Sequence, residues 1–429
     1  MIFIDIPFLE DYSGAIQLQN FHLYSSIFET VPSFTFTIYS NTGLTPELLN
    51  LHIGTSLLVR YRYDDTSEDE GKNMTDYKYF NGFIINNINT IFSETGTEIT
   101  IKCIGEFLTH QKTNKRNIYK NKYAKEIITN ILDDNEILKY QGDKAYNRNI
   151  NQSDNFTTVF RTLGETDVDF IENEICREFI IKGGHPLFYI GLDKKINFDS
   201  LNSLLNKKTL SKYVIKLPGR LTNDIASSDT QTLLSNLTEK ESTILNAIEA
   251  HMSVGSNNSF KGLRPVAYRS SITSGSLDTG KIIFAPAGEG KNYYPISKDF
   301  IDYTESTDSI TFKNRPDSNI SFEAKNSFDL MENLIQFNLE ISSISGMYNL
   351  IQAGDTITLL SHPYSAYNGN YIVSKVEYGT EAQSNFMKLQ VIRPFLDISW
   401  PEKMDKSKNS ENFDIGFTPT FHYTEIYNF

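Results

Sequence analysis

Two stretches near opposite ends of this chain repeat one order of alternating apolar residues, glycines and turns. Phe34, Phe36 and Ile38 alternate ahead of Gly43, Leu48 and Gly54, while Phe337, Leu339 and Ile341 alternate ahead of Gly346, Leu350 and Gly354. Gly54-Thr-Ser-Leu-Leu-Val59 then matches Gly354-Asp-Thr-Ile-Thr-Leu359. Phe80-Asn-Gly-Phe-Ile-Ile85, running to Ile88, matches Tyr367-Asn-Gly-Asn-Tyr-Ile-Val373, running to Val376, with one residue added. Ile99-Thr-Ile-Lys-Cys-Ile104 matches Met387-Lys-Leu-Gln-Val-Ile392, which ends against Pro394. Side chains of a strand point to opposite faces every second residue, so alternation bounded by Gly, Asn and Pro marks half-buried strands. One Asn-Gly hairpin resembles another simply because that dipeptide suits the turn. Four strands in one order point further, to internal duplication of a small β-module. A fold for this chain must therefore house one module twice.

At 429 residues the chain is too long for a single core and predicts three or four domains. Aromatics at 13%, with 29 Phe and 24 Tyr, suit β-rich globular domains with large interfaces better than disorder. The net charge of -13 argues against a general or sequence-specific nucleic-acid-binding surface, which needs basic stripes to replace counterions. It leaves room for a passage through which nucleic acid slides without sticking. The two cysteines, Cys103 in an expected strand and Cys176 on an expected helix, read as buried thiols in a reducing compartment. Met1-Ile-Phe-Ile-Asp5 lacks the basic start of a signal peptide, and no run is long enough to span a bilayer. Synthesis and folding in a cytoplasm, with no stable membrane anchor, are expected.

Taken in order, residues 1–108 read as the first β-module, with strands near 14–21, 33–39, 56–63, 77–92 and 97–105. The acidic run Asp64–Glu70 lacks the ligand spacing and sixth-position Gly of an EF-hand loop, so it reads as a solvated hairpin loop. Residues 109–211 read as an α+β domain. Ala124, Ile127, Ile128, Ile131 and Leu132 recur at helical spacing, predicting a helix over Lys122–Asp133. Asn151–Asn155 supplies capping side chains ahead of a second expected helix carrying Phe156, Val159, Phe160 and Leu163. Asp167 is expected to cap a third, through Phe170, Ile171 and Ile175, followed by strands at Phe179–Ile181 and Leu187–Ile190. Lys212–Leu217 reads as a strand and Thr230–His251 as helical, through Leu233, Leu234, Leu237, Ile244, Leu245 and Ile248.

The second β-module is expected over 212–251 and 321–398, entered by a helix with Phe328, Met331, Leu334 and Ile335 after a capping Asn326. Between these parts, 252–320 is rich in Ser, Gly, Asn and Thr and reads as an inserted β-rich domain with strands at Lys281–Phe284 and Ser309–Phe312. Beyond Pro401 a polar tether (Lys403–Asn412) precedes aromatic residues. The fold class is thus α+β, mostly β, with a C-terminal tail over 399–429. Trp400, Phe413, Phe417, Phe421, Tyr423, Tyr427 and Phe429 are the candidate partner-docking residues, against the alternative of a tail folded back on its own chain.

Little in the sequence points to chemistry. There is no HExxH, no Cys/His cluster for zinc and no GxSxG elbow. Gly288-Glu-Gly-Lys291 lacks the first Gly and the trailing Ser/Thr of a phosphate loop. Glu165, Asp167 and Asp169 are explained by a helix start, where carboxylates meet the positive end of the dipole. No catalytic, metal-binding or cofactor-binding residue is expected, and an enzyme is the weaker class.

With these residues in view, a resemblance can be stated. The module with Phe80-Asn-Gly-Phe-Ile-Ile85 resembles the N-terminal barrel of central baseplate hub proteins of contractile phage tails. The helix Lys122–Asp133, then Gln152–Phe160 leading to Phe170–Ile175, looks like that family's second domain. Ile351-Gln-Ala-Gly-Asp355, followed by Asn368–Val373 and Val376, resembles the second barrel shared with type VI secretion spike (VgrG) and late-control D proteins. The resemblance covers about residues 1–398 in order; the 252–320 segment and the tail do not match. It implies a homotrimer in which two barrels per chain make a pseudo-six-fold ring. The ring would join a six-fold tail tube to a three-fold spike within a virion baseplate and leave a channel for the genome. Implied partners are the chain itself, a spike or needle protein, a tail tube protein, and baseplate wedge or other tail proteins. A carbohydrate-binding or adhesive tail-tip protein and a tail-associated cell-wall hydrolase remain the alternatives. Acidic side chains lining the channel would repel its cargo.

Overall fold

In a computed structural model of the chain, the described residues are 2–6, 9, 14–63, 79–110, 115–134, 146–179, 181–182, 186–205, 211–218, 238–254, 266–270, 277–281, 293–294, 335–341, 351–360, 367, 369–381, 384–393 and 396–397. The first module contains β1 (Ile2–Asp5), β2 (Gln17–Ser26), β3 (Ser33–Ser40), β4 (Ser56–Tyr63), β5 (Tyr79–Ser93) and β6 (Gly96–Gly105). An α+β segment follows, with β7 (Asn117–Tyr123), α1 (Ala124–Asp133), β8 (Asn147–Ile150) and β9 (Phe156–Arg161). It continues with α2 (Asp167–Phe170), a π-helical turn (Ile171–Ile175), α3 (Cys176–Glu178), β10 (Pro186–Ile190), β11 (Lys195–Ser200) and α4 (Leu201–Leu205). Then come β12 (Ser211–Lys216), β13 (Thr238–Asn246), β14 (Glu249–Val254), β15 (Val266–Ser270), β16 (Leu277–Lys281) and β17 (Tyr293–Tyr294). The last strands are β18 (Ile335–Ile341), β19 (Thr356–Leu360), β20 (Gly369–Glu381), β21 (Ser384–Arg393) and β22 (Leu396–Asp397). The class is α+β, mostly β.

The duplication holds residue by residue. Pairing runs β4-β5-β6-β3-β2 in the first module and β19-β20-β21-β18-β14 in the second, every step antiparallel. Phe34 sits opposite Cys103 and Phe36 opposite Ile101, as Phe337 sits opposite Val391 and Leu339 opposite Leu389. Both hairpins carry a bulge at one place, between Ile85 and Asn87 and between Val373 and Lys375. The turn before each fourth strand is also the same. Gly54 N–H donates to Ile85 O at 2.8 Å, and Gly354 N–H to Val373 O at 2.8 Å. Both glycines have φ of +90°, a region that side chains with a Cβ avoid. The two Asn-Gly dipeptides, by contrast, are not equivalent. Asn81-Gly82 lies inside β5, where Gly82 leaves room for the Glu106 carboxylate, whereas Gly369 opens β20 one position further along the ladder.

The modules share one core and one sheet. Leu23, Phe34, Phe36, Phe83 and Ile101 belong to the same buried cluster as Phe337, Ile357, Tyr371, Tyr378 and Leu389. Burying a side chain of this size contributes about 1.5–3 kcal/mol. The flanking strands differ: β1 pairs antiparallel with β4, whereas β12 pairs parallel with β19 and with β13.

The α+β segment has its own core, made by Ile127, Ile128, Ile131, Phe170, Ile171, Ile175, Phe179 and Phe198. It docks on both modules. Ile190 N–H donates to Thr30 O at 2.8 Å, and Tyr189, Leu187 and Leu204 pack with Ile27, Ala353, Ile372 and Ile392.

Several sequence expectations are corrected. Residues 156–161 form β9, because Val159 and Arg161 point inward while Phe156 and Phe160 point out, a period of two. The polar residues before it do cap helices, but others: Ala124 N–H donates to Ser153 Oγ at 3.0 Å, and Asn155 Nδ2 donates to Glu178 O at 2.9 Å. Asp167 is not the cap of its helix. Thr166 is, in a capping box with Asp169. Of the strand expected at Phe179–Ile181, Phe179 lies in no strand and Ile181 makes only an isolated bridge, while residue 180 lies outside the described residues. Thr238–Asn246 and Glu249–Val254 are strands, held between β12 and β18, where helix was expected; 230–237 lies outside the described residues. Ile335 begins β18, and the helix expected before it lies outside the described residues.

Candidate assembly surface

One strand pair joins the two modules within the chain. β2 runs antiparallel to β20, with Leu23 opposite Tyr378, Tyr24 opposite Glu377 and Ser25 opposite Val376. On the core side Leu23, Val376 and Tyr378 are fully buried. On the other side His22 Nδ1 lies 2.8 Å from Glu377 Oε1, and the His22 ring tilts against Phe386. Phe21 N–H also donates to Thr380 Oγ1 at 3.1 Å. Burial, the hydrogen bond that Tyr24 donates to Glu29 and the negative charge of Glu29 push the Tyr24 phenol up to about 12.

The equivalent edges elsewhere carry no such partner among the described residues. Among the described residues β14 pairs only with β18, and β5 beyond Asn86 pairs only with β6. Large apolar side chains stand exposed there: Ile91 (62%) and Phe92 (70%) on β5, Met252 (40%) on β14 and Ile248 (55%) just before it. The glycine turns differ in the same sense. A Cβ on Gly354 would overlap the Tyr189 hydroxyl, whereas Gly54 faces open space beside exposed Ile53. Tyr189 is itself pushed up by burial and by the charges of Asp199, Asp355 and Asp193.

Opposite the core, both modules present a polar face. Among the residues whose side chains are described, its charges include Glu98 and Lys102 on β6, Glu249 on β14, Glu340 on β18, Lys375 and Glu377 on β20, and Lys388 on β21. A groove of about 360 Å³ crosses this face, lined by Tyr24, Glu249, His251, Lys375, Glu377 and Lys388 among others.

The carboxylates weighed in the sequence are structural. Asp167 accepts from Arg161 Nη1 at 2.7 Å, both buried, and the guanidinium lies over the Phe170 ring. Glu165 accepts from Thr162 N–H, and Asp169 completes the capping box. No group of three His, Cys, Asp or Glu that could hold a metal occurs among the described residues. No helix there is long and apolar enough to cross a membrane. Trp400, Phe413, Phe417, Phe421, Tyr423, Tyr427 and Phe429 lie outside the described residues, as do Asp64–Glu70 and Gly288–Lys291. Strands near 14–21, 77–92 and Tyr371–Val376 are legible in the sequence as β2, β5 and β20, but the pairing of β2 with β20 and the edges of β5 and β14 are not. The repeated register was the one available signal.

A duplicated antiparallel module with an α+β segment docked across both copies defines a mostly-β, multi-domain fold. The chain is similar to the tail protein from Neisseria meningitidis MC58, with a TM-score of 0.51 at 8% identity, over 91% of this chain and 96% of that one. It is equally similar to the prophage MuSo2 43 kDa tail protein from Shewanella oneidensis, with a TM-score of 0.51 at 7% identity, over 89% of this chain and 97% of that one. These likenesses show the fold. No protein-family model matches the chain, and no curated protein matches it.

Proposed function

We propose that the chain is a structural baseplate hub protein of a phage or phage-like tail. Three copies would form a pseudo-six-fold ring that joins the tube to the central spike and leaves a channel. The single observation that carries this reading is the residue-level equivalence of the two modules, down to the bulge and the glycine turn. A chain that repeats its edge-forming strands gives a trimer six similar modules, while its unduplicated parts remain three-fold. That combination is what a junction between unlike symmetries requires. The shared fold of two tail proteins agrees with it. On this reading residues 1–108 face the tube, 109–211 and the part of 252–320 that follows β14 serve the three-fold side, and 399–429, with Trp400 and the aromatic residues after it, docks a partner. The role is assembly, with no catalysis and no cofactor.

The polar face would line the channel. Its described charges are close to balanced, with Glu98, Glu249, Glu340 and Glu377 against Lys102, Lys375 and Lys388. A mixed lining, rather than the acidic one suggested by the overall charge, is therefore our expectation. The test is to co-express the chain with the spike and tube proteins encoded beside it and image the purified complex. Views down the axis should show six similar lobes in one layer and three in the next. A complex with two-fold symmetry, or no complex with either protein, would overturn the reading.

A further inference from the structure

The junction made once inside the chain is available a second time between chains. Superposing the two modules by their shared register places β2 on β14, through Leu23 and Met252, which pair with Phe34 and Phe337. It places β20 on β5, through Tyr378 and Thr90, which pair with Met387 and Ile99. Within the chain β2 lies against β20. Their equivalents, β14 and the distal half of β5, have no strand on the corresponding side among the described residues.

We propose that β14 of one copy adds, antiparallel, to the distal half of β5 in a second copy of this chain. The register is that of the internal junction: Met252 opposite Thr90, His251 opposite Ile91, Ala250 opposite Phe92 and Ser253 opposite Asn89. Exposure supports the choice of occupant. Leu23 and Tyr378 are both 0% exposed in the internal junction, whereas Met252, at the place of Leu23, is 40% exposed. Ile91 and Phe92, on the strand it would meet, are 62% and 70% exposed. An unpaired, apolar-bordered strand edge is a liability that a neighbouring strand removes. The two edges differ, so the contact is head to tail and uses every such edge once only when the ring closes. The proposal rests on the hub reading and adds to it the strands and the register.

Two singly substituted full-length chains, Met252→Cys and Thr90→Cys with different tags, test it. Directly opposed residues of an antiparallel pair have Cα atoms about 4.5–5.5 Å apart, within disulfide reach. Cys103 and Cys176 are buried and do not compete. Mixed and oxidised, the two chains should form a covalent heterodimer, while neither chain alone should. Asn87→Cys in place of Thr90→Cys should give none. If the protein is an oligomer by mass and the in-register pair stays unlinked, the proposed edges or register are wrong and the hub reading stands. If it is monomeric at every concentration and with the spike protein present, ring and junction fall together.

Discussion

Two glycines with one backbone conformation give the sharpest test at the scale of single residues. Gly54 and Gly354 share φ of +90° and the same hydrogen bond into their module, but only Gly354 touches another domain. Alanine at Gly54 should cost about 1 kcal/mol, the penalty of a left-handed residue less the gain from a stiffer unfolded chain. At Gly354 the same change also drives a methyl into Tyr189, adding about 1–3 kcal/mol of overpacking. Denaturant melts of the two variants should therefore separate, and equal losses would mean that the Tyr189 contact is not made. Ionisation gives a second test. Burial pushes the Cys103 thiol up to about 12 from 9.0, and the Tyr24 phenol stands near 12 against its ordinary 10.0. In each case the unfolded chain gives up its proton first, so deprotonation favours unfolding. Stability should hold below about pH 9 and fall as pH rises towards 12. Tyr24→Phe should shallow the part of that fall above pH 10, measured by thermal melts across the range.

At the scale of elements, the open edges of β5 and β14 carry the prediction. Ile91 and Phe92 are exposed, so lysine at both should leave folding stability within about 0.5 kcal/mol. It should nevertheless abolish self-association in sedimentation, since charged edges block strand addition. Unchanged association would place the contact elsewhere. Much of the element pattern was legible in the sequence: β3, β4, β6, α1, β12, β19 and β21 each announce themselves by periodicity. The failures have physical reasons. Phe156 and Phe160 mimic a helical spacing because they are exposed apolar residues on the outer side of β9, and exposure is not written in residue type. Ser153 and Asn155 have capping chemistry, but nothing local says which helix they cap. Thr230–His251 looked helical from its leucines and isoleucines, yet β12 and β18 recruit the described part, from Thr238 on, into the sheet. The β2·β20 junction, and with it the candidate surface, depends on pairing across most of the chain, from Phe21 with Thr380 to Ser26 with Lys375, and so could not be read locally.

For the assembled molecule, symmetry is what the duplication bears on. A ring of six like modules built from three chains can meet a six-fold partner on one layer and a three-fold partner on another, using a single chain type. In the proposed ring the internal junction would supply half of the contacts before any copies meet, leaving each chain one new strand contact per neighbour. Light scattering of the purified chain, alone and with the spike protein, addresses this most directly. A species at three times 49.0 kDa, formed by the chain itself or only once the spike is present, is the expected result. A strict 49.0 kDa monomer under both conditions, or a dimer, would contradict the ring.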